Sequence, residues 1–275
     1  MNKEAEVRTY FGQPAFTRFL AQLRAKYESS TAGARGYVAL DDPTEEERAA
    51  LDGFYGTYSV PARDKKARYR IKEFEQLLLR SRFGLTIPEL LAIIGGAPAR
   101  TRLERRTATD AAWERMIAQA AEVAGTPLSE RSRLAEWVEG LRHETAPGAR
   151  TLRRVFANSQ EEAGRNLKLC LVALRLLPGG EASKPIRLPI LSARVTGDAH
   201  ALDWKQPLGR LFWWGIAALY GQESVRTVED EEAEEAGESV LAGLSGPSAI
   251  LIREVYRKGG VADDDLSSQD RKSVV

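Results

Sequence analysis

Cysteine, histidine and methionine are nearly missing from this 275-residue chain, which has one Cys, two His and two Met. A lone thiol, Cys170, cannot form an internal disulfide, which suits a reducing cytosol. Two histidines, His143 and His200, leave too few nitrogen and sulfur ligands for a zinc site. No run approaches the roughly 18 consecutive apolar residues that span a bilayer. The opening Met1-Asn2-Lys3-Glu4-Ala5-Glu6 is polar and has no signal-peptide core. The chain is therefore expected to be soluble and cytoplasmic, with no membrane partner. Chemical signatures are missing too: there is no GxxxxGK[ST] phosphate loop, no HExxH, no CxxC and no GxSxG elbow. No credible active site emerges, and this chain is not expected to be an enzyme or to hold a cofactor.

What is present is an ordinary 43% of hydrophobic residues, enough for a real core, and a formal net charge of +1. That balance conceals an asymmetry. Glu229 to Glu238 carries seven acids and no base, which leaves +8 on the remainder. An acidic run of this kind usually forms a solvated segment.

The apolar spacing is mostly helical, predicting a mainly α protein with minor β. Pro14 can open a helix bearing Phe16, Phe19, Leu20, Leu23 and Tyr27. A short strand is expected at Tyr37 to Leu40. Thr44 begins the next helix with Glu45, Glu46 and Glu47 in its first turn. Thr86-Ile87-Pro88-Glu89 and Ser159-Gln160-Glu161-Glu162 read as capping boxes. A longer helix is expected from Thr109 to Ala124, and Ser129 is a candidate cap for the one after it. Pro178-Gly179-Gly180 is the expected boundary between a helical domain, 1–178, and a second region, 181–262. In that region a strand is expected around Leu188 to Val195, a turn-rich stretch over Thr196 to Asp203, and a Trp-rich helix from Pro207 to about Tyr220. Pro247 can start a last helix, Ser248 to Lys258. Residues 263–275 have no packing pattern and read as an interrupted, disordered end.

Three basic clusters stand out as candidate DNA contacts. They are Arg63, Lys65, Lys66, Arg68 and Arg70; Arg100, Arg102, Arg105 and Arg106, expected in a loop; and Arg150, Arg153 and Arg154. A guanidinium binds two phosphate oxygens at once and keeps its charge. The competing reading is solvated surface with local ion pairs. Thr196-Gly197-Asp198-Ala199-His200-Ala201-Leu202-Asp203 places one imidazole and two carboxylates within eight residues. A metal site is conceivable there. The favoured reading is structural: Asp198 and Asp203 cap the turn and the next helix, with His200 hydrogen-bonded inside. Phe212, Trp213, Trp214, Ile216 and Leu219 are expected to pack in a core or subunit interface rather than stack bases.

Val195-Thr196-Gly197-Asp198-Ala199-His200-Ala201-Leu202-Asp203, followed by Pro207-Leu208-Gly209-Arg210-Leu211, resembles the TGDPHALD…PLGRL stretch of the D subunits of type I Wadjet anti-plasmid systems, the JetD family. Tyr10-Phe11-Gly12-Gln13-Pro14-Ala15-Phe16, Lys26-Tyr27, Gly36-Tyr37-Val38 and Pro43-Thr44-Glu45-Glu46-Glu47-Arg48 resemble the opening of that family. Val261-Ala262-Asp263-Asp264-Asp265-Leu266-Ser267-Ser268 resembles a later part. Ala199 stands where proline is usual.

The resemblance implies an organisation similar to the topoisomerase VI A subunit. Helical and winged-helix-like parts, here 1–178 and 181–262, would precede a metal-binding Toprim nuclease domain for which this chain has no residues. It also implies double-stranded DNA, a condensin-like SMC motor complex and a second copy of the subunit as partners. The expected function is thus a non-catalytic DNA-engaging and assembly portion of a plasmid-defence nuclease subunit, with divalent metal only in the Toprim domain. The alternative is a purely structural helical protein-interaction domain that binds no nucleic acid.

Overall fold

The computed structural model describes residues 2–56, 65–125, 132–178, 184–220 and 247–262. Arg63, Ser129, the acidic stretch Glu229 to Glu238 and residues 263–275 lie outside them. The fold is mainly α: twelve helices and four short strands lie among the described residues. These group into two compact units, Met1–Asp110 and Ala111–Val275.

Unit 1 begins with α1 (Lys3–Phe11) and α2 (Pro14–Ser29), the latter started by Pro14, whose missing N–H costs nothing in a first turn. Phe16, Phe19, Leu20, Leu23 and Tyr27 recur at helical spacing and are all buried. Strand β1 (Tyr37–Asp41) follows, then α3 (Glu45–Tyr55), which Thr44 and Glu47 open as a reciprocal capping box. The Glu47 carboxylate also accepts from Arg18 at 3.0 Å, while the same guanidinium donates to the Asp41 carbonyl at 2.7 Å. One arginine thereby ties α2, α3 and β1 together. Strand β2 (Lys66–Arg70) pairs antiparallel with β1, Tyr37 opposite Arg70 and Asp41 opposite Lys66. Then come α4 (Ile71–Arg80) and α5 (Ile87–Gly95), the second opened by the Thr86–Glu89 capping box. The core is aromatic: Phe11, Phe16, Phe19, Phe74 and Phe83 are buried around it.

Helix α6 (Arg102–Val123) contains the division between the units. It starts seven residues before the expected Thr109. Thr101 accepts from the Glu104 N–H at 3.2 Å, and the Glu104 carboxylate accepts from the Thr101 N–H at 2.7 Å. Arg102, Arg105 and Arg106 are therefore helical, not in a loop.

In unit 2, α7 (Arg133–Arg142) is capped by Ser132, α8 (Ala149–Asn158) follows, and Ser159 caps α9 (Gln160–Arg175). Next come β3 (Ile186–Arg187), α10 (Leu188–Thr196), α11 (Pro207–Tyr220), α12 (Ala249–Lys258) and β4 (Val261–Ala262), which pairs parallel with β3. The strand expected over Leu188 to Val195 is a helix. Pro189 sits in its first turn, where proline starts a helix rather than interrupting a strand.

Gly179 and Gly180, in the expected boundary at Pro178–Gly180, lie outside the described residues, and one core spans both sides of it. Leu167, Cys170 and Leu174 before it share one buried cluster with Leu191, Trp213 and Val261 after it. Trp113, Trp137 and Trp213 each donate the indole N–H to a backbone carbonyl, of Arg142, Pro147 and Ile252. Each of these three rings is thereby buried with its one polar atom bonded. Phe212, Trp214 and Ile216 are core residues as expected.

Candidate nucleic-acid interface

The first basic cluster folds as the outward face of the β1–β2 ribbon. Side chains on β2 alternate, so Ala67 and Tyr69 are buried while Lys66, Arg68 and Arg70 face solvent. Beneath them burial pushes the Tyr69 phenol up to about 12, so it stays a neutral core residue. Lys66 pairs with Asp41 at 3.2 Å, both side chains being mostly exposed, so the pair adds little stability. The Arg70 Nε donates to the Tyr37 hydroxyl at 2.8 Å, and its guanidinium lies 5.5 Å from that ring's centroid. This interaction holds the Arg70 charge at a fixed place on the surface. Arg68, opposite Ala39, enters no ion pair among the described residues.

The second cluster approaches the same loop. The Ile71 N–H donates to the Gly36 carbonyl, at one end of residues 30–36, and the Arg102 N–H donates to the Ser30 carbonyl at the other. Six Cα steps separate those anchors, so they lie within about 20 Å of each other. Arg35 in the loop is exposed, as are Arg100, Arg102 and Arg106. Arg105 is committed otherwise, donating to the Glu28 carbonyl at 2.7 Å near the end of α2. Arg106 meets Asp110 only at 3.8 Å. Arg102, at the first position of α6, opposes the helix dipole by about 0.3–1 kcal/mol, so helix stability does not account for it.

The third cluster belongs to unit 2 and divides. The Arg153 guanidinium packs 4.7 Å from the Trp113 ring centroid and 5.5 Å from that of Phe156, and pairs with Glu144 at 3.4 Å. It is a structural cation. Arg150 and Arg154, four residues apart on α8, are exposed.

The Thr196–Asp203 stretch is a knot of turn hydrogen bonds. Gly197 ends α10 in the left-handed region at φ +83°. The Asp198 carboxylate accepts from the His200 N–H at 2.9 Å, and the His200 Nδ1 lies 3.0 Å from the Asp203 carboxylate. The expected turn cap at Asp198 is present. His200, however, is not inside: its side chain is 77% exposed, and Asp203 spends its carboxylate on it. The buried centre is Ser192, which donates to the Asp198 carbonyl at 2.6 Å and accepts from the Leu202 N–H at 3.1 Å. Gly209 is required where it stands, because a Cβ there would lie 1.9 Å from the Asp203 carbonyl oxygen. No three His, Cys, Asp or Glu side chains gather as a metal site among the described residues.

The family model described as "Protein of unknown function N-terminus (DUF3323)" matches residues 34–270. The chain belongs to this family. No curated protein and no solved structure matches it. The DUF3323 region runs from the loop before β1 to beyond β4, and so includes the ribbon, the start of α6 and the Ser192-centred turn. Within it, Ser192 and Glu104 are the working residues that sequence reasoning passed over. Glu104 had a signal, the Thr-x-x-Glu spacing of a capping box. Ser192 had none, because its partners lie six and ten residues away in the chain. No helix among the described residues is long and apolar enough to cross a membrane.

Proposed function

We propose that unit 1 engages double-stranded DNA through phosphate contacts, as part of the DNA-engaging and assembly portion of a type I Wadjet D subunit of the JetD kind. The observation that carries this reading is the ribbon face. Three cations at period two, backed by a buried core, share one face, and the loop 30–36 links the end of that ribbon to the start of a second arginine group. The resemblance of the Thr196–Asp203 and Pro207–Leu211 stretches to the D subunits supports the family part of the reading, and the winged-helix-like character of 181–262 belongs to that same proposal. On this reading the chain performs no cleavage. Divalent metal belongs to a Toprim domain, and the partners are DNA, the condensin-like motor of the same system and a second D subunit.

Such contacts are sequence-independent and salt-sensitive, because each neutralised phosphate releases condensed counterions. The test is fluorescence anisotropy with a short duplex at several salt concentrations. Arg68→Ala, Arg102→Ala and Arg106→Ala remove exposed charges without touching the Arg105 strut. Combined, they are expected to weaken binding and to reduce the magnitude of the salt slope by about 0.9 for every phosphate that no longer meets a cation. Deleting Glu229 to Glu238 is expected to strengthen binding by removing seven negative charges. Binding by all three proteins with one affinity and one slope, or by none at low salt, favours the protein-interaction alternative instead.

A further inference from the structure

We propose that the groove between α6 and α9 in unit 2 receives an acidic amphipathic helix from a partner protein. The two helices touch where Gly164 meets Met116, a Cβ built on Gly164 lying 3.3 Å from the Met116 Cγ. Beside that point they enclose a groove of about 570 Å³. Its floor is apolar and low: Met116, Ala120 and Gly164 contribute methylene, methyl and bare backbone. Small residues in such a row let a third helix bring its ridge close to the backbone. Val123 forms an apolar lip that is 62% exposed, among the largest apolar exposures of the described residues.

Charge selects the occupant. Arg115, Arg165 and Lys168 rim the groove against one acid, Glu161. Arg165 and Lys168, three residues apart, share one edge of α9, and neither has an ion-pair partner among the described residues. An apolar stripe flanked by unsatisfied cations fits a helix with leucine-like anchors at i, i+3 and i+7 and carboxylates beside them. A phosphate backbone would meet the cations but would leave the Val123 lip and the floor uncompensated. This inference does not depend on unit 1 binding DNA.

The experiment uses the full chain and two fluorescent synthetic peptides of about 18 residues, long enough to form helix on binding. Both carry the same leucine stripe. One has glutamates flanking it and the other lysines. The acidic peptide is expected to bind and the basic one not to. Arg165→Glu with Lys168→Glu should cost the acidic peptide at least about tenfold in affinity, since like charges meet across the groove. Val123→Asp should weaken it independently. All these positions are exposed, so thermal melting should be unchanged and reports on folding. Equal binding of both peptides, binding of neither, or variants that bind like the wild type would overturn the proposal. So would a double variant that loses duplex affinity as much as peptide affinity, because the cations would then belong to a DNA surface.

Discussion

Arginine does opposite work in the two units. On β2 the two-residue period of a strand turns Arg68 and Arg70 outward and keeps Ala67 and Tyr69 inside. On α8 the helical period leaves Arg150 and Arg154 exposed but carries Arg153 onto the Trp113 and Phe156 rings. Both clusters look alike as strings of letters. A cation offered to a ligand therefore differs from one used as mortar by the period of its element and by what lies underneath, not by its neighbours in sequence.

The largest effects should come from the cores, and they test whether the units are separate. Trp213→Ala in unit 2 and Phe74→Ala in unit 1 each empty a fully buried site. Each should cost about 3–5 kcal/mol. Hydrogen exchange should show weakened protection confined to the mutated unit, and equal weakening in both would break the division at Asp110.

A smaller effect sharpens the arginine contrast itself. Arg153→Ala removes a guanidinium stacked on two rings and should cost about 1–2 kcal/mol in chemical denaturation, with duplex affinity unchanged. Arg68→Ala should do the reverse, shifting stability by less than about 0.5 kcal/mol while weakening duplex binding. Identical behaviour of the two variants in both assays would erase the distinction.

The smallest effect concerns the capping box of α5. Hydrogen bonds from the Thr86 backbone and hydroxyl hold the Glu89 carboxyl below its ordinary range. A lowered folded value means the box stabilises above the unfolded carboxyl's range and stops doing so as pH falls through the folded value. Thr86→Ala should therefore cost about 1 kcal/mol at neutral pH and less in acid. Urea midpoints at both pH values measure it, and a constant difference would place the cap's worth outside the carboxylate.

Local signals in the sequence translated well where one residue's chemistry decides the outcome. Thr44, Thr86 and Ser159 cap the helices they announce, and Pro207 opens α11. Failures came where a signal had two physical meanings. Leu188-Pro189-Ile190-Leu191 is as good a first helical turn as an edge strand, and a short apolar run does not separate the two. Thr101-Arg102-Leu103-Glu104 carried a capping box, yet its arginines drew the reading toward a loop. The division between the two compact units falls inside a continuous helix that no composition shift marks. Of the candidate interface, the charges were legible. Which of them remain available was not, because that depends on Glu28, Trp113 and Tyr37, all distant in sequence from the arginines they engage.

The pleat of β2 divides that strand into two vocabularies. Positions 66, 68 and 70 can trade their lysine and two arginines for glutamine or glutamate while the Tyr69 ring still rests 5.8 Å from Phe19 and 5.3 Å from Tyr55. One added residue between Ala67 and Arg68 would instead turn Tyr69 into water and thrust a guanidinium at those rings. The charge of this face can thus drift by substitution through a wide range without disturbing the scaffold, yet the strand does not tolerate a change of frame by a single residue.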